Sequence, residues 1–428
     1  MEVTIRPATR LRGTITVPGD KSISHRAVIL GAISQGVTEI EGFLEADDCW
    51  STVRVFRQLG VRIEGGGKKL TVYGTGLYGL QEPAEVLDVG NSGTTIRLVA
   101  GLLAGQNLFA VLTGDASIRR RPMGRISGPL QRMGARILGR QGGNLAPLAI
   151  AGTRLSGTEH NLPVASAQVK SALLLAGLLA EGETGVVEPA PSRDHTERLL
   201  QYFGASLKRQ GNRVSVNGGQ KLVGRPISIP GDISSAAFFL VAASLVPGSD
   251  LVIENVGLNP TRTGIIDVLL AMGANLEIKE EKIKNGEPVG NIRVRYAPLR
   301  GTRIGGALIP RLIDELPVLA VAAAFAEGET VITDAAELRV KESDRLQAIA
   351  QGLTALGGRV KTLDDGLIIQ GGEALHGSRV QSFHDHRIAM ALAVAGLRAT
   401  GETVIEDAEA VSISYPDFFP TLDSLSRN

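Results

Sequence analysis

The segment with the clearest chemical potential is Arg339–Arg345, which reads Arg-Val-Lys-Glu-Ser-Asp-Arg. Apolar residues at helical spacing follow it, so the pattern predicts that residues 341–345 form the first turn of a helix. Lys341 and Arg345 are four residues apart, and Glu342 lies between these two cations. Neighbouring cations would favour the charged form of this carboxyl group, whereas burial would favour the neutral form. Such a group could move a proton during catalysis, although the same spacing also occurs in surface salt-bridge lattices.

Basic side chains recur where other apolar helices are expected to begin. Lys21, Ser22 and Arg26 stand at one such start, and Ser22 and Arg26, four residues apart, share a helix face. Arg121 ends a run of three arginines that could clamp a phosphate with bidentate hydrogen bonds. Helix N-termini themselves favour phosphate and carboxylate groups. Each segment taken alone also fits an ordinary capped helix with a solvated basic surface.

Further polar groups stand at expected helix starts or in loops. These segments are Asn91-Ser92-Gly93-Thr94, Ser166-Ala167-Gln168, Ser192-Arg193-Asp194-His195, Asp314-Glu315 and His384-Asp385-His386-Arg387. Gly93 could let a ligand approach the backbone closely. Asp314 could simply cap its helix, and His195 suits a surface or cap position. His next to Asp suggests a metal ligand pair, but no third ligand group matches it in the sequence, so no metal site is expected.

The polar tips recur along the chain at residues 20, 91, 165, 231, 314 and 384, with spacings of 71, 74, 66, 83 and 70 residues. Each tip opens an apolar stretch, followed by a strand, an amphipathic helix that ends in glycine, and two more strands. This regularity predicts six β-α-β-α-β-β units. A charged hairpin inserted around residues 279–288 accounts for the widest spacing.

Six units predict two domains of three units each. Residues 20–230 would form a continuous domain, and residues 1–19 with 231–428 a discontinuous one. The sixth unit lacks its final hairpin, and the N-terminal strands are expected to complete it. The two chain crossings would form a hinge, with the active site in the interdomain cleft. Basic side chains would there surround Asp314 and Glu342, an arrangement that suits small, multiply anionic substrates.

Composition restricts the class of protein. Hydrophobic residues make up 43% and charged residues 21% of the 428 residues, as in soluble globular proteins. The net charge of +1 argues against a dedicated nucleic-acid-binding protein. The single cysteine, Cys49, excludes a disulfide framework. No apolar run has the length of a membrane span and the N-terminus looks like a strand rather than a signal peptide, so a cytoplasmic location is expected.

The chain resembles the 3-phosphoshikimate 1-carboxyvinyltransferase (EPSP synthase) family over nearly its whole length. The matching motifs are Pro18–Arg26, Gly90–Arg97, Arg121-Pro122-Met123, Lys341–Arg345 and Asp385-His386-Arg387. The resemblance implies an α/β fold, a two-domain inverse α/β barrel with three repeats per domain. It also implies transfer of the enolpyruvyl group of phosphoenolpyruvate to the 5-hydroxyl of shikimate 3-phosphate in aromatic amino acid biosynthesis. Phosphate would leave from a tetrahedral intermediate, and no cofactor or metal would take part.

The resemblance further implies roles for individual residues. The catalytic residues would be Asp314, which accepts the hydroxyl proton, together with Glu342 and Lys21. Shikimate 3-phosphate would contact Lys21, Ser22, Arg26, Ser166, Gln168, Arg193, Asp314 and Lys341. Phosphoenolpyruvate would contact Lys21, Gly93, Arg121, Gln168, Arg345 and Arg387.

Several positions resemble the second major branch (class II) of the family. Ala167 stands where a second serine is common, Glu337 stands where asparagine is common, and no lysine precedes Pro416-Asp417. Gly93 followed by Thr94 resembles glyphosate-sensitive members, so glyphosate is an expected inhibitor. A monomer is expected.

Two alternatives remain open on the sequence. The related UDP-N-acetylglucosamine enolpyruvyl transferase typically carries a cysteine in the loop that corresponds to residues 115–121, where this chain has none. A non-catalytic repeat scaffold would not need Lys21, Asp314, Glu342 and Arg345 together.

Overall fold

The chain forms two units, and the computed structural model describes residues 1–426. Unit 1 consists of Met1–Pro18, Pro230–Lys282 and the described residues from Pro288 onward. Unit 2 consists of Gly19–Ile229 and Ile283–Glu287.

The grouping of residues 283–287 departs from the sequence expectation, which assigned all of 231–428 to one domain. These residues form the tip of the expected hairpin insert, and the backbone φ angles of Asn285 and Gly286 at its turn are 51° and 80°. Asn285 Oδ1 accepts the N–H of Ser228 at 2.9 Å. Arg198 Nη1 donates to the carbonyl of Gly286 at 3.0 Å. These hydrogen bonds join the tip to unit 2.

Within residues 1–426 the α-helices are α1 Lys21–Ala32, α2 Asp47–Gln58, α3 Gly93–Leu103, α4 Gly124–Arg132, α5 Arg140–Gly143, α6 Ala167–Leu179, α7 His195–Tyr202, α8 Ile233–Leu245, α9 Gly264–Ala271, α10 Ile309–Leu312, α11 Leu316–Phe325, α12 Arg345–Ala355, α13 His386–Gly396 and α14 Phe418–Ser426. Short 3₁₀ helices span Ile118–Arg120, Gly306–Leu308, Ile313–Glu315, Ala336–Val340 and Ala408–Ile413.

The strands are β1 Val3–Ile5, β2 Arg12–Thr16, β3 Gln35–Glu41, β4 Arg62–Gly66, β5 Lys69–Thr75, β6 Leu87–Asp88, β7 Phe109–Thr113, β8 Arg136–Gly139, β9 Leu145–Ala151, β10 Leu155–Ser156, β11 Glu159–Asn161, β12 Ala180–Glu181, β13 Glu183–Val187, β14 Leu207–Gln210, β15 Arg213–Asn217, β16 Ile227–Ser228, β17 Asp250–Gly257, β18 Asn275–Lys284, β19 Glu287–Arg295, β20 Arg303–Ile304, β21 Glu329–Ile332, β22 Arg359–Thr362, β23 Leu367–Gln370, β24 Arg379–Gln381 and β25 Thr403–Glu406.

Unit 2 repeats one sheet arrangement three times. In each sheet a short strand lies parallel to a longer one, which pairs antiparallel with the second strand of a hairpin. The strand orders are β16-β3-β5-β4, β6-β7-β9-β8 and β11-β13-β15-β14. Strands β10 and β12 form an additional two-stranded parallel sheet.

Unit 1 contains sheets with the orders β18-β19-β17-β2, β20-β21-β23-β22 and β1-β25-β24. Strand β1 pairs antiparallel with β25 of the sixth repeat, with Val3 opposite Ile405. Strand β2 departs from expectation, because it pairs parallel with β17 of the fourth repeat, Ile15 opposite Ile253. Correspondingly, β16 precedes the fourth repeat in the chain but pairs with β3 of the first. The strands that precede the two chain junctions are thus exchanged, and no local pattern could have shown this.

Each unit has its own aliphatic core around its apolar helices. Every residue of α8 is buried, because the helix is apolar on all sides apart from small serines. The amphipathic helices end as predicted, with a glycine in the left-handed region directly after the C-cap residue. These glycines are Gly60, Gly134, Gly204, Gly273 and Gly357, with φ between 84° and 101°. The chain can therefore turn sharply into the next strand of each repeat.

Candidate active site

The polar site residues of unit 1 gather around the guanidinium of Arg345, which is 1% exposed. Its Nη2 donates to Glu342 Oε2 at 2.5 Å, and its Nη1 lies 3.3 Å from Asp314 Oδ1. Lys341 Nζ lies 3.6 Å from the same Asp314 oxygen. Arg387 Nη1 donates to the Asp314 backbone carbonyl at 3.2 Å, and its Nη2 lies 3.9 Å from Asp314 Oδ2. The structure thus brings together all five site residues that the sequence predicted for this unit.

A sixth residue, Asp385, was not singled out in the sequence, although it belongs to a motif that was. It is fully buried, caps α13 through the N–H of Arg387 at 2.9 Å, and accepts Arg345 Nε at 2.8 Å. Burial opposes the charge on Arg345, but the surrounding carboxylates raise its pKa above the ordinary value. Burial also opposes the charge on Asp385 and by itself would raise the pKa of this carboxyl group. The Arg345 guanidinium outweighs that effect, so the pKa of Asp385 lies below its ordinary value. Both groups are therefore held in their charged forms at neutral pH.

Two local expectations for this unit are wrong. Helix α12 begins at Arg345 with Asp344 as its N-cap, so Lys341 and Glu342 precede the helix instead of lying in its first turn. Asp314 does not cap α11, because it lies in the 3₁₀ turn Ile313–Glu315 and that helix has no side-chain cap. Helix capping therefore does not explain why an aspartate stands at this position. Its contacts with the cations Lys341, Arg345 and Arg387 do explain it.

In unit 2, α1 presents the predicted basic residues at its first turns. Asp20 caps the helix through the N–H of Ile23 at 2.9 Å, and Lys21 Nζ donates to Asp48 Oδ2 at 3.1 Å. Arg26 is buried, and its Nη1 donates to the carbonyl of Ser22 at 2.9 Å. Burial is the main reason that the pKa of Arg26 falls to about 10. The guanidinium still carries its charge near neutral pH.

Thr196 and Ser171 hold the other nitrogens of Arg26. Arg26 Nε donates to Thr196 Oγ1 at 2.6 Å, and Nη2 donates to Ser171 Oγ at 2.8 Å. Arg193 lies close enough to lower the pKa of Arg26 further. The sequence did not reveal these two hydroxyl groups, because they lie 170 and 145 residues away from Arg26 in the chain.

A second cluster in unit 2 lies at the starts of α3 and α6. Ser92 caps α3, and a Cβ atom on Gly93 would lie 3.0 Å from Arg121 Nη1 and 3.2 Å from Arg97 Nη1. Arg97 donates a very short hydrogen bond to Gln168 Oε1. Gln168 Nε2 donates to Thr94 Oγ1 at 3.1 Å. The predicted Gly93, Arg121 and Gln168 therefore meet, and Arg97, at the end of a quoted motif, joins them.

The remaining predicted residues of unit 2 have mixed outcomes. Ser166 caps α6 through the N–H of Val169 at 3.5 Å. Arg193 lies in the loop before α7 and is partly buried. The expectation of a surface or cap position for His195 is wrong. His195 follows the N-cap residue Asp194, its ring is buried, and its Nδ1 lies 2.7 Å from Glu287 Oε1.

One group of potential metal ligands occurs within residues 1–426. Ligand atoms of His384, Asp407 and Glu409 lie within 4.8 Å of one another. His384 and Glu409 are exposed, and Glu409 Oε2 accepts the ammonium of Met1 at 2.5 Å. Exposed groups of this kind are common without a metal, so the cluster is no argument for one. His386, in contrast, is buried at the start of α13.

Comparison with known proteins decides the family. The family model for EPSP synthase (3-phosphoshikimate 1-carboxyvinyltransferase) matches residues 5–422. The chain belongs to the EPSP synthase family. The chain is 58% identical over 426 residues to the 3-phosphoshikimate 1-carboxyvinyltransferase of Desulforudis audaxviator, covering 99% of both chains. It is 56% identical over 423 residues to that of Brevibacillus brevis, again covering 99% of both.

Solved structures agree with this membership. The fold is similar to that of EPSP synthase from Acinetobacter baumannii, with a TM-score of 0.90 and 48% identity, over 99% of this chain and 98% of the other. The α/β architecture expected from the resemblance is therefore confirmed, and the chain is an EPSP synthase-type transferase. Of the helices within the described residues, none combines the length and apolarity needed to cross a membrane.

Proposed function

We propose that the chain transfers the enolpyruvyl group of phosphoenolpyruvate to the 5-hydroxyl of shikimate 3-phosphate and releases phosphate. The observation that carries the proposal is the carboxylate of Asp314, which has Lys341, Arg345 and Arg387 around it. A carboxylate suits proton removal from a hydroxyl group, and the cations suit a phosphorylated, carboxylated substrate. Sequence identity of 58% and 56% to proteins named 3-phosphoshikimate 1-carboxyvinyltransferase, over 99% of both chains, supports the same reaction.

The chemistry proceeds by addition and elimination. The methylene carbon of phosphoenolpyruvate gains a proton, and the 5-hydroxyl oxygen bonds to the central carbon as it loses its own proton. The tetrahedral intermediate then loses a proton from the new methyl group and expels phosphate. We assign the hydroxyl proton to Asp314, and the other proton transfers to Glu342 and Lys21.

The binding roles are assigned by chemical type and by the family motifs. The residues assigned to bind shikimate 3-phosphate are Lys21, Ser22, Arg26, Ser166, Gln168, Arg193, Asp314 and Lys341. The residues assigned to bind phosphoenolpyruvate are Lys21, Gly93, Arg121, Gln168, Arg345 and Arg387. Arginine recognises phosphate and carboxylate groups through paired hydrogen bonds. The cluster of Gly93, Arg121 and Gln168 in unit 2 supports the second assignment.

Phosphate release from the purified protein tests the proposal. Shikimate 3-phosphate with phosphoenolpyruvate should release inorganic phosphate, and each substrate alone should release none. Release only with UDP-N-acetylglucosamine would assign the chain to the related transferase. No release with either acceptor would favour the scaffold alternative.

Three finer properties complete the proposal. Glyphosate inhibits by competing with phosphoenolpyruvate, and the space that Gly93 leaves beside the guanidinium groups of Arg121 and Arg97 supports this. Unchanged turnover at millimolar glyphosate with limiting phosphoenolpyruvate would contradict it.

The enzyme acts in the cytoplasm as a monomer. A dimer mass in light scattering would contradict the monomeric state.

A further inference from the structure

A buried polar cluster in unit 1 lies beside the proposed catalytic carboxylate but outside the substrate assignments. We call Asp232, Ser234, Arg262 and Glu315 the Arg262 cluster. Arg262 Nη2 donates to Ser234 Oγ at 2.7 Å and to Asp232 Oδ1 at 3.1 Å. Ser234 in turn donates a very short hydrogen bond to Glu315 Oε1. All four residues are at most 6% exposed.

The cluster is joined to both chain junctions of unit 1. Asp232 caps α8 through the N–H of Ser234 at 2.8 Å. The N–H of Asp232 donates to the carbonyl of Pro18 at 2.9 Å. Pro18 ends the first segment of unit 1, and Pro230, two residues before Asp232, begins the second. The Asp232 end of the cluster is thereby fixed to the points where the chain leaves and re-enters this unit.

The Glu315 end of the cluster is adjacent to Asp314. Both residues lie in the 3₁₀ turn Ile313–Glu315, and α11 after it has no side-chain cap. Without a cap, the Glu315 carboxylate is the polar side chain that ties this turn to α8. The same turn sets the Asp314 carbonyl, which accepts Arg387. A shift of the turn would therefore move the Asp314 carboxylate relative to the cations around it.

The stability of the fold does not explain the cluster. Taking charged groups out of water carries a large desolvation cost, and well-packed apolar residues of similar size often stabilise a core as well or better. Glu315 Oε2 is buried and has no hydrogen-bond partner among the described residues, so part of this cost is uncompensated. A buried polar cluster of this kind favours one geometry over its alternatives.

We propose that the Arg262 cluster positions Asp314 for proton transfer by locking the 313–315 turn to the start of α8. Ser234, Arg262 and Glu315 are positioning residues that act through Asp314. The inference rests on the proposed enolpyruvyl transfer. It adds that the chain junctions at Pro18 and Pro230 are mechanically connected to the proton acceptor.

The substitution Ser234→Ala tests the proposal, with Ser244→Ala as its matched control. Ser244 lies on the same helix, is fully buried and donates to the Leu240 carbonyl at 2.8 Å. Both substitutions remove one buried hydroxyl group from α8, but only the first breaks the link to Glu315. We expect Ser234→Ala to lower kcat about tenfold with both KM values changed less than threefold. Ser244→Ala should leave kcat within twofold of the original protein.

Thermal unfolding separates positioning from general destabilisation. Ser234→Ala should lower Tm somewhat more than Ser244→Ala does, because Ser234 Oγ makes two buried hydrogen bonds and Ser244 Oγ makes one. The kcat values are therefore measured well below both Tm values. Equal kcat values in the two variants would overturn the inference. It would also be overturned if the loss of kcat in Ser234→Ala were explained by unfolding of the variant at the assay temperature. Glu315→Gln, which retains shape but removes charge, should also lower kcat more than it raises KM. Absence of phosphate release from the unsubstituted protein would instead refute the proposed function.

Discussion

Replacing Lys170 with methionine should strongly destabilise unit 2. Lys170 is 2% exposed, and its Nζ lies 2.7 Å from Glu188 Oε2 and 2.8 Å from Glu197 Oε1. Methionine fills a similar volume without the charge, so two carboxylates would remain buried without their cation. Breaking a buried ion pair by removing one partner costs about 3–5 kcal/mol. For a unit of this size, that corresponds to a drop in Tm of roughly 6–20 °C.

The expected cost applies across the neutral pH range. Burial disfavours the charged amine, but Glu197 and Glu188 outweigh it and raise the pKa of Lys170. A raised folded-state pKa gives stability that is complete below the unfolded value of about 10.4 and is lost only at higher pH. Measurements at pH 7 therefore capture the full contribution of Lys170.

Trp50 provides a probe that reports on unit 2 alone. It is the single tryptophan of the chain, lies in α2, and contacts Phe43 with ring centroids 5.3 Å apart. Its fluorescence during urea unfolding gives the free energy of unfolding of its surroundings.

Lys69→Met is the matched control for this prediction. Lys69 Nζ lies 3.0 Å from Glu41 Oε1, but the two side chains are 78% and 63% exposed. An exposed pair contributes less than about 1 kcal/mol. If Lys170→Met lowers the unfolding free energy no more than Lys69→Met does, the reasoning about buried charge in this unit is refuted.

Three other predictions concern the site and its support. Asp314→Asn should lower kcat about 10²–10⁴-fold in a protein that still folds; near-normal phosphate release would remove Asp314 from proton transfer. Thr196→Val deletes the acceptor 2.6 Å from Arg26 Nε, so the KM of shikimate 3-phosphate should rise about 2–10-fold in initial-rate assays, and an unchanged KM would contradict the assignment of Arg26. Burial lowers the pKa of His25, so the unfolded chain binds a proton below about pH 6.5 that the native chain cannot. Stability should fall by up to about 1.4 kcal/mol per pH unit below that value, and Trp50 unfolding curves at pH 7 and 5 should show a smaller loss for His25→Gln.

Local patterns predicted the repeating parts of this fold well. A glycine after an apolar helix acts through the backbone of its own residue, so Gly134 and Gly273 could be placed from a few neighbouring letters. The polar residues before α12 and α13 could likewise be found from the apolar residues that follow them. What the local pattern could not set was the helix boundary, which falls at Arg345 because Asp344 caps it.

Pairings between distant segments could not be predicted in the same way. The register of β2 depends on which strand edge is available, and the available edge belongs to β17, more than 230 residues later. The partners of Arg26 are single hydroxyl groups on α6 and α7, a residue type too common to stand out. Asp385 was hidden for another reason, because a capping role alone would explain an aspartate at that position.

The charge balance in unit 1 leads to a last prediction. Three cations of this unit, Lys341, Arg345 and Arg387, face three carboxylates, Asp314, Glu342 and Asp385. An anion can bind such a balanced set favourably when a carboxylate takes up a proton and leaves excess positive charge. On the proposed assignment, phosphoenolpyruvate binding should therefore take up protons from solution. Calorimetric titration in buffers of different ionisation enthalpy would measure this uptake. Identical binding heats in all buffers would show that the substrate binds to the charged carboxylates as they stand.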